Sequence, residues 1–165
     1  SRGFEVTLDD DRVADPSVVR RLALCNGKVF YDIDAAREAE GIEDVAIGRV
    51  EQLYPFPADG VKAILSRYRH VTDVVWVQEE PRNMGSWIYI QERLKEQLGR
   101  GQKLRYVGRP RAASPAAGSH KVHKAEQDAI VRETLSGKAP AARRKRPEHG
   151  ERDNHDGIGP CQTAP

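Results

Sequence analysis

Cysteine is nearly absent from this chain of 165 residues, with two in all. That is too few for a disulfide framework. Cys25 lies in an apolar, strand-like stretch and Cys161 in a Pro- and Gly-rich tail, so pairing them would need the tail to reach into the core. Reduced thiols are the simpler expectation, and they suit a cytosolic or matrix compartment. Apolar runs are short, and none approaches the ~20 residues of a membrane-spanning helix. Charge of one sign is also lacking: 27 Lys and Arg face 25 Asp and Glu. A near-balanced chain has no concentrated basic face for nucleic acid. The start, Ser1-Arg-Gly-Phe-Glu5, carries neither an initiator Met nor an apolar signal region, and reads as a cut edge.

Four apolar segments recur at regular distances: Arg21–Cys25, Val45–Val50, Val74–Gln78 and Leu104–Val107. Helical patterns follow each, over about 27–40, 58–68, 84–98 and 120–135. Alternation of this kind predicts βαβ units and a mainly parallel sheet with helices on both faces. The second helix has the clearest stripe, with Val61, Ile64, Leu65 and Tyr68 at i, i+3, i+4 and i+7. Pro57 suits its first turn, where a missing N–H costs nothing. Trp87, Ile90, Leu94 and Leu98 repeat the pattern, and Gly99 and Gly101 supply a stop. Ser119 is a candidate N-cap for the last helix. Phe4–Leu8 alternates weakly and is a candidate antiparallel edge strand. Gly48 interrupts an apolar strand, which marks a close backbone approach.

Beyond Ala139 the composition turns to Pro, Gly, Arg, Asp and His, with Ile158 the one large aliphatic residue. Such a segment buries too little apolar area to offset its ordering entropy. The expected organisation is a linker or edge strand over 1–18, an α/β domain over 19–138 and a disordered tail over 139–165. The basic run Arg143–Arg146 falls in that tail, with acidic residues following, and reads as solvated.

Candidate chemistry gathers at strand ends. Cys25-Asn-Gly-Lys28 leaves a strand and opens a helix; the plainer reading is that Gly27 turns the chain and Lys28 is solvated, and the alternative is that backbone N–H groups and Lys28 hold an anion. The complete nucleotide loops G-x-x-x-x-G-K-[ST] and G-x-G-x-x-G are absent. Glu51 stands at the carboxyl end of the second strand, where open α/β folds place sites; backbone amides or a neighbouring chain could equally tie it down. In Glu51-Gln-Leu-Tyr-Pro-Phe-Pro57, Tyr54 and Phe56 read as packing residues, and the prolines force an extended exit. Gln78-Glu-Glu-Pro81 ends the third strand; Glu79 and Glu80 are neighbours in extended chain and point apart, which argues against a convergent acid–base pair. His120 and His123 have helical spacing but no third ligand for a metal. Arg109 begins a rigid Pro-rich loop and could bind a carboxylate or phosphate across a junction.

Three motifs in order carry a resemblance: Leu24-Cys-Asn-Gly-Lys-Val-Phe-Tyr31, Glu51-Gln-Leu-Tyr-Pro-Phe-Pro57 and Trp76-Val-Gln-Glu-Glu-Pro-Arg-Asn-Met-Gly-Ser-Trp87. The loop Arg109-Pro-Arg-Ala-Ala-Ser-Pro-Ala-Ala-Gly118 adds a fourth. Together they resemble the C-terminal domain of the decarboxylating first component of 2-oxoglutarate dehydrogenase, from about Val19 to Leu135. Asn26, Gly48, Arg82 and Met84 depart from that family's pattern without breaking it.

The resemblance implies a transketolase C-terminal-like domain: three α/β/α layers around a mixed, mostly parallel sheet of four to five strands, helped into place by dimerisation. It implies a parent homodimer that uses thiamine diphosphate and Mg²⁺, held in preceding domains. The parent hands a succinyl group to a dihydrolipoyl succinyltransferase, in the cytoplasm of bacteria or the mitochondrial matrix of eukaryotes. No catalytic, cofactor or metal residue carries over, so the isolated chain is expected to be inactive. Related enzymes hold acetyl-coenzyme A in this domain. Lys28, Glu51, Gln78, Glu79 and Arg109 are therefore candidate acyl-coenzyme A or domain-junction contacts. With the parent domains missing, Tyr54, Phe56 and Trp87 are expected to be exposed and to favour self-association. The rival readings are a free-standing regulatory module for acyl-coenzyme A or a nucleotide, and a remnant of a frameshifted gene.

Overall fold

Unbroken burial identifies the centre of the molecule. The computed structural model describes residues 5–114 and 120–136. Strand β2 (Arg21–Cys25) is buried at every position, as a strand covered on both faces must be. It pairs in parallel with β3 (Val45–Val50) on one side and β4 (Asp73–Pro81) on the other; β4 pairs in parallel with β5 (Lys103–Arg109). A short β1 (Thr7–Leu8) runs antiparallel along β3 and completes the five-stranded order β1-β3-β2-β4-β5. The edge strand expected within Phe4–Leu8 is this element; Phe4 itself lies outside the described residues.

Strand side chains alternate between two cores. Leu22, Leu24, Val74 and Trp76 face the helices α2 (Ala58–Arg67) and α3 (Trp87–Gln97). Ala23, Cys25, Val75 and Val77 face α1 (Val29–Glu40) and α4 (His120–Ser136). The result is the expected α/β/α sandwich. The stripe Val61, Ile64, Leu65 and Tyr68 is fully used. Gly48 does mark a close approach: a Cβ there would lie 2.8 Å from Leu24 Cδ2 and 3.3 Å from Ile64 Cγ2.

Several boundaries differ from the sequence pattern for local reasons. Helix α1 starts at Val29 rather than at 27, because Gly27 has φ +70 and turns the chain first. Helix α3 starts at Trp87 rather than at 84, because Gly85 (φ +64) holds a turn. Pro57 is the residue before α2 and not part of its first turn. Strand β4 runs on through Gln78 and Glu79 to Pro81. Ser119, Cys161, Arg143–Arg146 and the tail assigned to 139–165 lie outside the described residues.

Two arginines clamp the residues after β1 onto the sandwich. Asp10 and Arg37 are buried. The Asp10 carboxylate pairs with the Arg37 guanidinium of α1 and accepts the Ile47 amide of β3 at 2.7 Å. Arg37 also donates to Val45 O (3.2 Å) and to Asp34 (2.8 Å). From the other layer, Arg67 of α2 donates to Asp9 (2.7 Å) and to Val13 O (2.9 Å).

The amino edge of the sheet is closed by a second charged network. Arg21 donates to the carbonyls of Glu133 (3.1 Å) and Thr134 (2.9 Å), which cap the end of α4, and to Asp73 (2.8 Å). Arg105 adds a 2.9 Å bond to Asp73. Burial works to raise the Asp73 carboxyl, but the bonds from Arg105 and Arg21 outweigh it and hold it below the ordinary value of 3.8.

Replacing Asp10 by Ala strands a buried guanidinium and the Ile47 amide together. The expected cost is about 3–5 kcal/mol in denaturant unfolding; a loss within experimental error would show that the clamp is dispensable. Asp73 has a depressed folded pKa, so the stability it contributes is complete above 3.8. That contribution is lost as pH falls through the folded value. Asp73→Asn should therefore destabilise at neutral pH and converge on the parent chain in acid. A gap constant with pH would contradict this.

Candidate functional site

Strands β3 and β4 follow β2 in sequence but lie on opposite sides of it, so the chain changes direction between β2 and β4. Crevices at the carboxyl ends of strands at such a point are where α/β sheets bind or dock. The segment Asn26–Lys28 leaves β2 on one side, and Gln78–Ser86 leaves β4 on the other. Lys28 Nζ spans the gap to Glu79 Oε1 at 3.3 Å and reaches Asp32 Oδ2 at 3.9 Å. Lys28 is two-thirds exposed and Glu79 one-quarter. Glu79, at the end of β4, is thus the residue that faces the helix start.

Gln78 plays a different part. Its side chain is buried, and both ends of the amide are engaged. Oε1 accepts from Trp87 N at 2.9 Å, Trp76 Nε1 at 3.2 Å and Ser86 Oγ at 3.3 Å. Nε2 donates to Met84 O at 2.9 Å, with Glu80 O and Pro81 O at 3.2 and 3.3 Å. One amide side chain thus ties the end of β4, the turn and the first N–H of α3 into a unit. Gly85 is required for this closeness, since a Cβ would sit 2.9 Å from Gln78 Nε2. Asn83 extends the framework by exchanging two bonds with the backbone of Ala112, at 2.9 and 3.0 Å. The Tyr106 hydroxyl lies 2.9 Å from Glu80 O and 3.0 Å from Arg109 O. Burial, partly offset by Gln78 and Arg82, pushes that phenol up to about 12, so it remains protonated.

The other expected contacts are dispersed. Glu51 is held at 2.7 Å by Arg49 Nε of its own chain. The Arg49 guanidinium lies 4.4 Å from the Phe30 ring centroid and 5.8 Å from that of Tyr31. Arg109 Nε binds a carboxylate within the domain, Glu126 of α4, at 2.9 Å. Tyr54 is 82% exposed, not a packing residue, whereas Phe56 packs against the core. Trp87 was expected at the surface but is 5% exposed, with its ring 5.2 Å from Tyr106. Its place as the first residue of α3, tied to Gln78, turns it inward. Burial raises the Cys25 thiol to about 12, which leaves it unreactive at neutral pH. Among the described residues no three His, Cys, Asp or Glu side chains gather as a metal site.

The carboxyl edge therefore has the Lys28–Glu79 pair on a rigid base; Glu79 and Glu51 are neutralised by Lys28 and Arg49, and Glu80 stands exposed. This arrangement suits contact with another surface better than proton transfer. Asn83, Ser86 and Tyr106 were not singled out from the sequence; the Pro-x-Asn-x-Gly turn beginning at Pro81 was the signal for the first.

A family model described as 2-oxoglutarate dehydrogenase C-terminal matches residues 1–135. The chain is 44% identical over 133 residues to the 2-oxoglutarate dehydrogenase E1 component of Haemophilus influenzae, a match covering 81% of this chain and 14% of that protein. It is 42% identical over 128 residues to that of Cupriavidus necator, covering 78% and 14%. With the Brucella anthropi protein it shares 49% over 121 residues, covering 71% and 12%. The chain thus spans about 14% of the length of the curated relatives it matches.

Gln78→Ala should cost about 3 kcal/mol in denaturant unfolding, because it leaves buried donors and acceptors unpaired. Lys28→Ala, which removes only an exposed ion pair, should cost under ~1 kcal/mol. Equal effects would contradict the division into base and surface.

Proposed function

The chain belongs to the 2-oxoglutarate dehydrogenase C-terminal family, and from that premise we propose that it is the C-terminal domain of a 2-oxoglutarate dehydrogenase E1 component. In this reading the parent decarboxylates 2-oxoglutarate on thiamine diphosphate and Mg²⁺ and passes the succinyl group to a dihydrolipoyl succinyltransferase. The domain's own part is structural: it supports the preceding thiamine-binding domains and the second subunit of a homodimer. A domain spanning 19–138, with residues 1–18 as its edge strand or linker, belongs to the same proposal. So does a cytoplasmic location, the relatives being bacterial.

The observation that carries this reading is the family match across residues 1–135, which takes in every strand and helix of the sandwich up to the last turn of α4. The described residues do not fit the cofactor. Thiamine diphosphate needs its diphosphate bound through Mg²⁺, with oxygen donors free to coordinate. Here Glu79 and Glu51 are committed to Lys28 and Arg49, and Glu80 belongs to no cluster of three acidic, His or Cys ligands among the described residues. We therefore derive no catalytic step from this chain's residues. Of the five candidate contacts, Gln78, Glu51 and Arg109 serve inside the domain. Lys28 and Glu79 remain as the pair that a neighbouring domain, or an acyl-coenzyme A phosphate, could engage. Glu79 lies against the ammonium group and competes with any anion there, which favours a domain junction over the free-standing regulatory module.

Grafting tests the proposal. This chain would replace the matching C-terminal segment of the Haemophilus influenzae relative, and 2-oxoglutarate-dependent turnover would be measured with the partner components. The chimera should be active, while the chain alone with thiamine diphosphate and Mg²⁺ should show none. Turnover by the chain alone, or an inactive chimera that still binds thiamine diphosphate, would overturn the reading.

A further inference from the structure

Exposed apolar side chains are unevenly placed on this domain. Among the described residues four large ones are exposed: Tyr54 at 82%, Tyr31 at 61%, Ile88 at 58% and Val18 at 54%. The first three share one edge. Tyr31 is in the first turn of α1, which follows β2; Tyr54 is in the segment after β3; Ile88 is in the first turn of α3, which follows β4. Those strands are neighbours, in the order β3-β2-β4, and all three run in the same direction. Their carboxyl ends therefore lie side by side. Val18 precedes β2 and lies at the opposite edge.

The three anchors stand on rigid ground. Tyr31 adjoins the Arg49 guanidinium, itself paired with Glu51. Ile88 follows Trp87, whose amide is bound to Gln78. The Lys28–Glu79 pair lies on the same edge. Aromatic and aliphatic anchors among paired charges have the make-up of a protein interface, whose tyrosines often carry much of the binding energy.

The path of the chain identifies what covers this edge. Strand β1 runs antiparallel to β3, with Thr7 opposite Val50 and Leu8 opposite Arg49. The amides of Glu51 and Gln52 both donate to Val6 O, at 3.0 and 3.2 Å. The chain therefore enters the sandwich at the carboxyl edge, beside the segment that carries Tyr54. At the other end, the carbonyls of Glu133, Thr134 and Leu135 are bound by Arg20 and Arg21 at the amino edge. In the relatives most of the length lies outside the matched segment, and the family is the C-terminal one. Polypeptide preceding the domain is thus tethered at the edge that displays the anchors.

We propose that the carboxyl edge of the sheet is the docking face for the preceding part of the parent polypeptide, with Tyr54, Tyr31 and Ile88 as its anchors. This rests on the reading of the chain as the C-terminal domain of a longer enzyme. Hydroxyl-radical footprinting of the isolated chain and of the Haemophilus influenzae chimera tests it, with chimera activity read in parallel. Labelling of Tyr54, Tyr31 and Ile88 should fall in the chimera to the level of buried Trp76, while Val18 labels equally in both. An active chimera whose three anchors label as in the isolated chain overturns the docking face and leaves the parent reading standing. Protected anchors in an inactive chimera do the reverse. An inactive chimera with unprotected anchors removes both. Protection that appears in the isolated chain as its concentration rises, with the same anchors unprotected in an active chimera, assigns the face to a second copy of this chain and overturns the proposal.

Discussion

The Asp10 carboxylate, buried between the Arg37 guanidinium and the Ile47 amide, is the contact on which the layout of the domain depends. It joins three segments distant in sequence: the strap after β1, the last turns of α1 and the centre of β3. A buried pair of this sort gains little net stability over a well-packed apolar alternative, yet losing one partner is costly. Its effect is to fix position. With Asp10 held, β1 has a single register on β3, and the chain must enter at the carboxyl edge. Arg67 holds the same strap from the other layer, so it is anchored to both faces of the sheet.

The two edges of the sheet then divide their duties. At the amino edge Arg20, Arg21, Asp44, Asp73 and Arg105 satisfy one another and cap the end of α4. Charges so fully paired leave little for a partner to use. At the carboxyl edge Gln78 stiffens the turn from below, and above it stand exposed apolar side chains and the Lys28–Glu79 pair. On the proposed reading, this domain's part is to present a surface rather than to carry out chemistry. The chemistry belongs, on the proposed reading, to the polypeptide tethered at that edge.

Much of this was legible in the sequence. Period-2 and period-3.6 patterns place strands and helices because each apolar residue must find the core, and Val61, Ile64, Leu65 and Tyr68 all do. The motifs around Gly27 and Gln78-Glu-Glu-Pro mark the family because their backbone turns demand particular residues. Local pattern says less about long-range polar contacts. Nothing near Asp10 announces Arg37, and Glu51 gives no sign that Arg49, two residues back near the end of β3, will claim it. Exposure at strand ends was hardest to read. Tyr54 and Trp87 look alike in sequence, but one caps an open loop and the other is drawn inward by a hydrogen bond to Gln78.

Native-state hydrogen exchange tests most directly whether the strap and the sheet are one structure. The amides of Ile47, Glu51 and Gln52 are the reporters, since the first donates to Asp10 on the strap and the other two to Val6 O, just before β1. If the strap is integral, they exchange only through the opening that also releases the central amides of β2 and β4. If they exchange much faster, the strap opens by itself, the chain's point of entry is not fixed, and the account of the carboxyl edge loses its foundation.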